Sequence, residues 1–302
     1  MRTRLLIVLS VFSLLILSVS ATNAQNERQK VVATYSILGD VVQNVAGDNI
    51  DLTILVGPDG DTHTYEPVPQ DSVTLSEASI IFENGLGFES WLDDLYTASG
   101  SQAKRVVISE GITPGTITVG EEAGATDPHI WQNPYNFVRA TEIVRDNLSA
   151  ADPANAATYQ LNANQYITQL LEADTYVLQQ VQALPADQRK LVTDHDAFGY
   201  FASRYGFEIV GTALGSVSTE GAEPSAADTA ALIDSIKQTG VHAIFPENIE
   251  NADLINQIAQ EAGVVVGPPL CSDALTPADG PCPTYLQMIR YNIDSIVGAL
   301  TQ

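Results

Sequence analysis

Short apolar runs alternate with amphipathic segments of helical length along most of the chain, starting at residue 31. Such alternation is typical of βα units, in which helices connect the parallel strands of a sheet. The apolar runs predict strands at residues 31–36, 52–56, 79–85, 105–109, 190–196, 207–213, 242–248 and 264–270. The amphipathic segments predict helices at residues 38–45, 69–78, 88–98, 134–149, 198–205, 226–239, 252–262 and 284–300. The pattern therefore predicts an α/β fold whose sheets are mostly parallel.

One helix is expected to be much longer than the others. Residues 153–184 contain no glycine and no internal proline, and apolar side chains recur at helical spacing from Leu161 to Val181, before Pro185 ends the pattern. About 30 residues at ~1.5 Å each give ~45 Å, enough to run across two lobes as a stiff connector. The predicted organisation is an N-terminal α/β lobe at residues 25–150, a linker helix at 151–184 and a C-terminal α/β lobe at 185–302. Residues 111–126 lack periodicity and predict a surface loop.

The first residues have the pattern of a secretory signal. Arg2 and Arg4 precede an apolar run at residues 5–19, and small residues follow up to Ala24. This run is shorter than the ~20 residues of a spanning helix, so a retained signal anchor is only the alternative. We expect residues 1–24 to be cleaved and the mature protein to be periplasmic. Because no cysteine lies near the expected cleavage point, we expect a form without a lipid anchor.

Composition narrows the possible partners. The 302 residues are 45% hydrophobic and 17% charged, as in an ordinary soluble protein with a full core, and the length favours two domains. The net charge is −24, and loss of the two arginines of the signal makes it −26. This charge disfavours nucleic acid as a partner. A solvated acidic surface explains this negative charge without a metal site. We expect a monomer.

Three of the four histidines occupy equivalent places. His63 lies in the polar turn DGDTHTYEP after the run at 52–56, His129 lies in DPHIW before a helical pattern, and His195 lies in LVTDHDAFGYF at the end of a strand. Ligands of open α/β sheets bind at the carboxyl ends of strands. Imidazole is the commonest zinc ligand in proteins. We therefore predict a metal site there, and we expect His242, which opens a strand without a polar turn, not to be a ligand.

The cysteines and the acidic residues near the histidines have further candidate roles. Cys271 and Cys282 enclose ten residues in an exported chain, and an oxidising compartment favours a disulfide. A Cys271 thiolate that binds zinc is the alternative. Nearby acids could orient the imidazoles, but acids in loops are usually solvated, so no role is assigned to Asp61, Glu66, Asp127, Asp194 and Asp196.

Five segments together carry a family resemblance. They are GDTHTYEPVPQD, IIFENGLGFESWLDDL, DPHIWQNP, HDAFGYFASRYG, and CSDAL followed by TYLQMIRYN. With these segments the chain resembles the metal-binding solute-binding proteins of bacterial ABC importers for zinc and manganese, known as cluster A-I. The resemblance implies two α/β lobes joined by one rigid helix, a membrane permease as partner, and a metal held between the lobes by His63, His129, His195 and Asp273.

The chain departs from the usual family pattern at two places. A third position, that of His195, bears on which metal the site binds. Thr62 stands where the family commonly has a proline, and no His-rich insertion lies between Glu110 and His129. Manganese-type members resemble this chain but have a glutamate at the position of His195. Three nitrogens and one carboxylate suit Zn²⁺ better than the harder Mn²⁺, which is the alternative. We expect Asp273 to be an exposed ligand whose loss water can partly compensate.

The leading interpretation is a carrier that delivers Zn²⁺ to an ABC permease and is not an enzyme. An exported zinc hydrolase is the alternative from a different class. Catalytic zinc keeps an open position for water, whereas four protein ligands would close the coordination sphere. The chain also lacks the motifs HExxH and GxSxG. A surface adhesin is a third possibility, for which the chain shows no repeat, anchor or sorting signal.

Overall fold

The computed structural model describes residues 28–119, 123–216, 218–219 and 224–301. The predicted signal peptide lies outside these residues. The N-terminal lobe is built on a parallel four-stranded sheet with the strand order β2-β1-β3-β4. Its strands are β1 (Gln29–Tyr35), β2 (Ile50–Val56), β3 (Ile80–Glu83) and β4 (Lys104–Val107). Its helices are α1 (Ser36–Ala46), α2 (Pro69–Glu77) and α3 (Leu92–Ser99).

The central strand β1 is buried over its last five residues, which explains its continuous apolar sequence. Helix α1 follows it without a loop and buries eight of its eleven residues. A Cβ at Gly39 would lie 2.3 Å from the Cδ1 atom of Ile54, so a side chain there would force Ile54 or α1 to shift. The sheet and α1 thereby form the N-terminal part of the core.

The segment at residues 111–126 differs from the predicted surface loop. Its ends form a short antiparallel pair, β5 (Gly115–Thr116) and β6 (Thr126–Asp127). A two-residue ladder is too short to produce hydrophobic periodicity, so the prediction was wrong at these ends. The backbone N–H of Gly115 donates to the hydroxyl of Tyr200 at 2.8 Å, which joins this pair to the other lobe.

Two consecutive helices lead from one lobe to the other. Helix α4 (Pro134–Ala151) begins after Asn133, whose side chain accepts a hydrogen bond from the N–H of Tyr135. Helix α5 (Ala156–Val181) is the long connector, slightly shorter than predicted. Its 26 residues span ~39 Å. It packs against α1 and α4 on one side and, in the other lobe, against α6 (Gly199–Tyr205) and α9 (Tyr285–Leu300).

The C-terminal lobe has two short parallel strand pairs, covered by α7 (Ala226–Thr239) and α8 (Asp253–Ala262). The pairs are β7 (Lys190–Thr193) with β8 (Glu208–Thr212) and β9 (Ala243–Ile244) with β10 (Val265–Val266). The N–H of Phe245 donates to the carbonyl of Val192 at 2.9 Å and links the pairs. All four strands are shorter than predicted. After β7, for example, the polar residues turn towards the interior between the lobes instead of continuing the ladder.

The fold is therefore the predicted one: two α/β lobes connected by one long helix. The precise division at residues 150 and 184 stays a prediction. Cys271 and Cys282 form the predicted disulfide, and both are buried. No helix in the described part of the chain is both long and apolar enough to cross a membrane.

Candidate metal centre

The structure brings four sequence-predicted side chains together between the lobes: His63, His129, His195 and Asp273. One donor atom from each lies within 4.8 Å of the others, and all four side chains are buried. The Nε2 atom of His63 lies 3.3 Å from that of His129, and Oδ2 of Asp273 lies 3.1 Å from Nε2 of His195. A tetrahedral ion with ligand bonds of ~2.0 Å holds its donors about 3.3 Å apart. The spacing fits a small metal ion.

His63 lies on the loop between β2 and α2. The Oδ1 atom of Asp61 accepts a hydrogen bond from the backbone N–H of His63 at 2.8 Å, which folds the turn back on itself. The carbonyl of Thr62 accepts from the indole of Trp91 at 2.9 Å, so the loop is also attached to the start of α3. The imidazole packs edge-on against Phe88. These contacts direct Nε2 of His63 to Oδ2 of Asp273, 3.2 Å away.

His129 follows β6 and is held by Asp127. The Oδ1 atom of Asp127 lies 2.9 Å from the backbone N of His129 and 2.8 Å from its Nδ1. An acceptor at Nδ1 places the proton there and leaves the lone pair of Nε2 free for a metal. A Cβ at Gly199, the first residue of α6, would lie 2.4 Å from Oδ2 of Asp127, so a side chain there would displace this carboxylate.

His195 lies two residues beyond β7 and is held by Glu247. The Oε1 atom of Glu247 accepts the backbone N–H of His195 at 2.9 Å, and Oε2 lies 2.6 Å from Nδ1. Glu247 is itself fixed, because its own N–H donates to Oδ2 of Asp194 at 2.7 Å. The ring of His195 therefore presents Nε2 to the site in one orientation.

Asp273 lies on the loop that follows residue 270 and is 0% exposed. Its Oδ1 atom has no hydrogen-bond partner among the described residues, while Oδ2 faces the three imidazoles. The expectation of an exposed carboxylate was wrong. The carbonyl of the preceding Ser272 accepts hydrogen bonds from Trp131 and Gln132, and these contacts draw the loop into the interior.

Burial and charge perturb the acid–base behaviour of the site. Burial opposes ionisation of Asp273, but the imidazoles of His195 and His129 outweigh it and hold the pKa of Asp273 well below its usual range. Burial alone would lower the pKa of His195, but the carboxylates of Glu247 and Asp273 raise it well above its usual range. The pKa of His63 is lowered, chiefly by burial. In the metal-free protein, a proton on His195 therefore supplies part of the positive charge that a bound cation would supply.

The remaining sequence candidates have varied positions. His242 is exposed and lies outside the cluster, as expected. Asp194 and Asp196 are buried beside the site rather than solvated, and burial raises their pKa values to about 7 and about 6. Glu66 is exposed. Sequence reasoning missed Glu247, although it follows β9 much as His195 follows β7, and this shared strand-end position could have identified it.

Comparisons with known proteins identify the family to which the chain belongs. The family described as ZnuA, zinc-uptake complex component A, periplasmic, matches residues 31–299. Manganese-binding lipoprotein MntA of Halalkalibacterium halodurans is 32% identical over 283 residues, covering 94% of this chain and 92% of MntA. Iron-binding protein YfeA of Yersinia pestis is 32% identical over 273 residues, covering 90% of this chain and 86% of YfeA. The solved structure of periplasmic zinc-binding protein TroA of Treponema pallidum has a TM-score of 0.82 and 32% identity, covering 90% of this chain and 99% of TroA.

These relatives are named for manganese, iron and zinc, so the similarity alone does not select the metal. MntA is a lipoprotein, which stands against the expectation of a form without a lipid anchor. The alternative of a zinc hydrolase finds no support, because the match covers nearly the whole chain and is to proteins of metal uptake. The chain therefore belongs to the family of extracytoplasmic metal-binding proteins that serve ABC transporters and are not enzymes.

Proposed function

We propose that this protein captures Zn²⁺ outside the cytoplasm and delivers it to the permease of an ABC importer. The ligands are His63, His129, His195 and Asp273. One observation carries the proposal: three imidazole nitrogens surround Oδ2 of Asp273 at 3.1 Å, 3.2 Å and 3.7 Å in a buried site between the lobes. Four protein donors complete a tetrahedral shell, which suits binding and transfer better than hydrolysis by a zinc-bound water.

The donor chemistry favours zinc. Zn²⁺ binds imidazole nitrogen strongly and accepts four ligands, whereas Mn²⁺ prefers oxygen donors and a larger coordination number. Manganese is the second candidate, and a specific observation supports it. The Oδ1 atom of Asp273 has no hydrogen-bond partner among the described residues, so the carboxylate has a second oxygen to offer to a larger ion.

The same proposal includes the organisation and partners of the chain. The N-terminal lobe at residues 25–150 supplies His63 and His129, the C-terminal lobe at 185–302 supplies His195 and Asp273, and the connector lies at 151–184. The protein acts as a monomer. Nucleic acid is not a partner, since a net charge of −24 repels phosphates.

Isothermal titration of metal-stripped protein with Zn²⁺ and with Mn²⁺ tests the proposal. We expect one zinc per chain and a lower Kd for zinc than for manganese. Zinc is titrated in competition with a chelator, so that a very low Kd can also be measured. Tighter binding of manganese would select the second candidate. Binding of neither metal would reject the proposed function.

A further inference from the structure

Glu247 holds His195 at two points. Its two carboxylate oxygens contact different groups of the same residue: Oε1 accepts the backbone N–H at 2.9 Å, and Oε2 forms an ion-pair contact with Nδ1 at 2.6 Å. Glu247 is 2% exposed, and its backbone forms a bridge to Leu270, three residues before Asp273. One buried carboxylate therefore fixes both the main chain and the ring of a proposed ligand.

The contact between Asp127 and His129 is chemically similar but differs in one respect. A single oxygen, Oδ1 of Asp127, accepts both the backbone N–H of His129 and the Nδ1 proton, at 2.9 Å and 2.8 Å. An asparagine at position 127 can keep both hydrogen bonds through its one carbonyl oxygen. A glutamine at position 247 cannot keep both contacts of Glu247, because its amide nitrogen would face either the backbone N–H of His195 or its protonated Nδ1.

This difference has consequences for the metal. A carboxylate that accepts the Nδ1 proton makes the imidazole a stronger donor at Nε2 and fixes its direction. Bonds to nitrogen strengthen from Mn²⁺ to Zn²⁺, so zinc gains more from a strong nitrogen donor than manganese does. A tetrahedral ion also depends more on the direction of each ligand than an ion that fills its shell with oxygen atoms and water.

We propose that Glu247 is a positioning residue that sets the preference of the site for zinc over manganese. It acts through His195 and does not touch the metal. The inference rests on the proposed function, since it concerns the selectivity of the same site.

The test compares Kd values for zinc and manganese in the full chain, with zinc measured by chelator competition and free Mn²⁺ by electron paramagnetic resonance. Glu247→Gln is expected to weaken zinc binding by ~10–100-fold, as for other groups that orient a metal ligand. Manganese binding should weaken less, so the ratio of Kd for manganese to Kd for zinc falls. Asp127→Asn is the matched variant, which removes a buried charge but keeps both hydrogen bonds, and it should change the ratio less.

The possible results distinguish failure of the inference about Glu247 from failure of the proposed function. Equal weakening of both metals by Glu247→Gln, or an equal change of the ratio in Asp127→Asn, overturns the inference and leaves the proposed function in place. Wild-type protein that binds neither metal overturns both. If circular dichroism shows that Glu247→Gln does not fold, Glu247→Asp replaces it. This variant keeps the charge but is too short to reach both contacts, and an unchanged ratio there also overturns the inference.

Discussion

The carbonyl oxygen of Ser272 accepts a hydrogen bond from the indole nitrogen of Trp131 at 2.7 Å, and both residues are fully buried. Ser272 precedes Asp273, and Trp131 lies two residues after His129. The hydrogen bond therefore joins the two lobes directly beside proposed ligands from each. Separation of the lobes at the site would exchange this hydrogen bond for bonds to water, at a net cost of about 0.5–1.5 kcal/mol.

We therefore predict that metal binding causes no wide domain closure. Helix α5 packs on helices of both lobes, and the site-level contact limits hinge motion further. Small-angle scattering profiles of metal-free and zinc-loaded protein should nearly coincide. A change in radius of gyration as large as that of a hinge-type binding protein would contradict a stiff connector. It would show that the lobes themselves move and that the movement is not confined to the loops of the site.

Replacement of the ligands should have graded effects on zinc affinity. His63→Ala, His129→Ala and His195→Ala each remove a donor atom, so each should weaken zinc by more than the ~10–100-fold typical of residues that only orient a ligand. Competition with a chromogenic chelator measures the change. His242→Ala is the matched control, because this histidine is exposed and outside the cluster. Equal losses in His242→Ala and His195→Ala would show that the site has been assigned to the wrong residues.

Asp273→Ala should weaken zinc as strongly as loss of a histidine. The side chain is completely buried and faces all three imidazoles, so its removal leaves positive charge without a counter-ion. Asp273→Asn, which keeps the shape of the side chain and removes its charge, separates charge from packing in the same chelator assay. A loss of only a few-fold in both variants would support the original sequence-based expectation that water replaces this carboxylate.

Zinc affinity should fall with decreasing pH. The pKa of His195 in the metal-free protein lies above its usual ~6.5, because Glu247 and Asp273 outweigh burial, so a proton competes with the metal even near neutral pH. Zinc binding should release about one proton there, which titrations in buffers of different ionisation enthalpy can count. His195→Ala should abolish most of this release. Binding that neither depends on pH from 6 to 8 nor releases a proton would contradict the protonated state of His195.

The disulfide should stabilise the C-terminal lobe. In the chain-entropy account, a bridge that closes a loop this short contributes about 2–3 kcal/mol. The double variant Cys271→Ser, Cys282→Ser should lower the free energy of unfolding in urea by this amount. Asp273 lies inside the closed loop, so zinc affinity should fall as well. Two free thiols in denatured, unreduced protein would show that the bridge does not form in the exported protein.

The sequence was most informative where local chemistry determines structure. Polar turn residues located His63 and His195 after apolar runs and His129 before a helical pattern, and an uninterrupted helical pattern located α5. It was least informative where a contact joins distant segments. Glu247 lies 52 residues from His195, and its position after a strand marks it as a candidate without indicating which residue its side chain contacts. Aspartates in loops are usually solvated, so the burial of Asp273 could not be predicted from the sequence.

The most direct test of the proposed zinc site is a crystal structure of the zinc-loaded protein with diffraction data collected on both sides of the zinc absorption edge. We expect one anomalous peak per chain, within about 2.0–2.3 Å of Nε2 of His63, His129 and His195 and of a carboxylate oxygen of Asp273. A peak bound to other residues, or one coordinated by fewer than three of these four side chains, would contradict the proposed site.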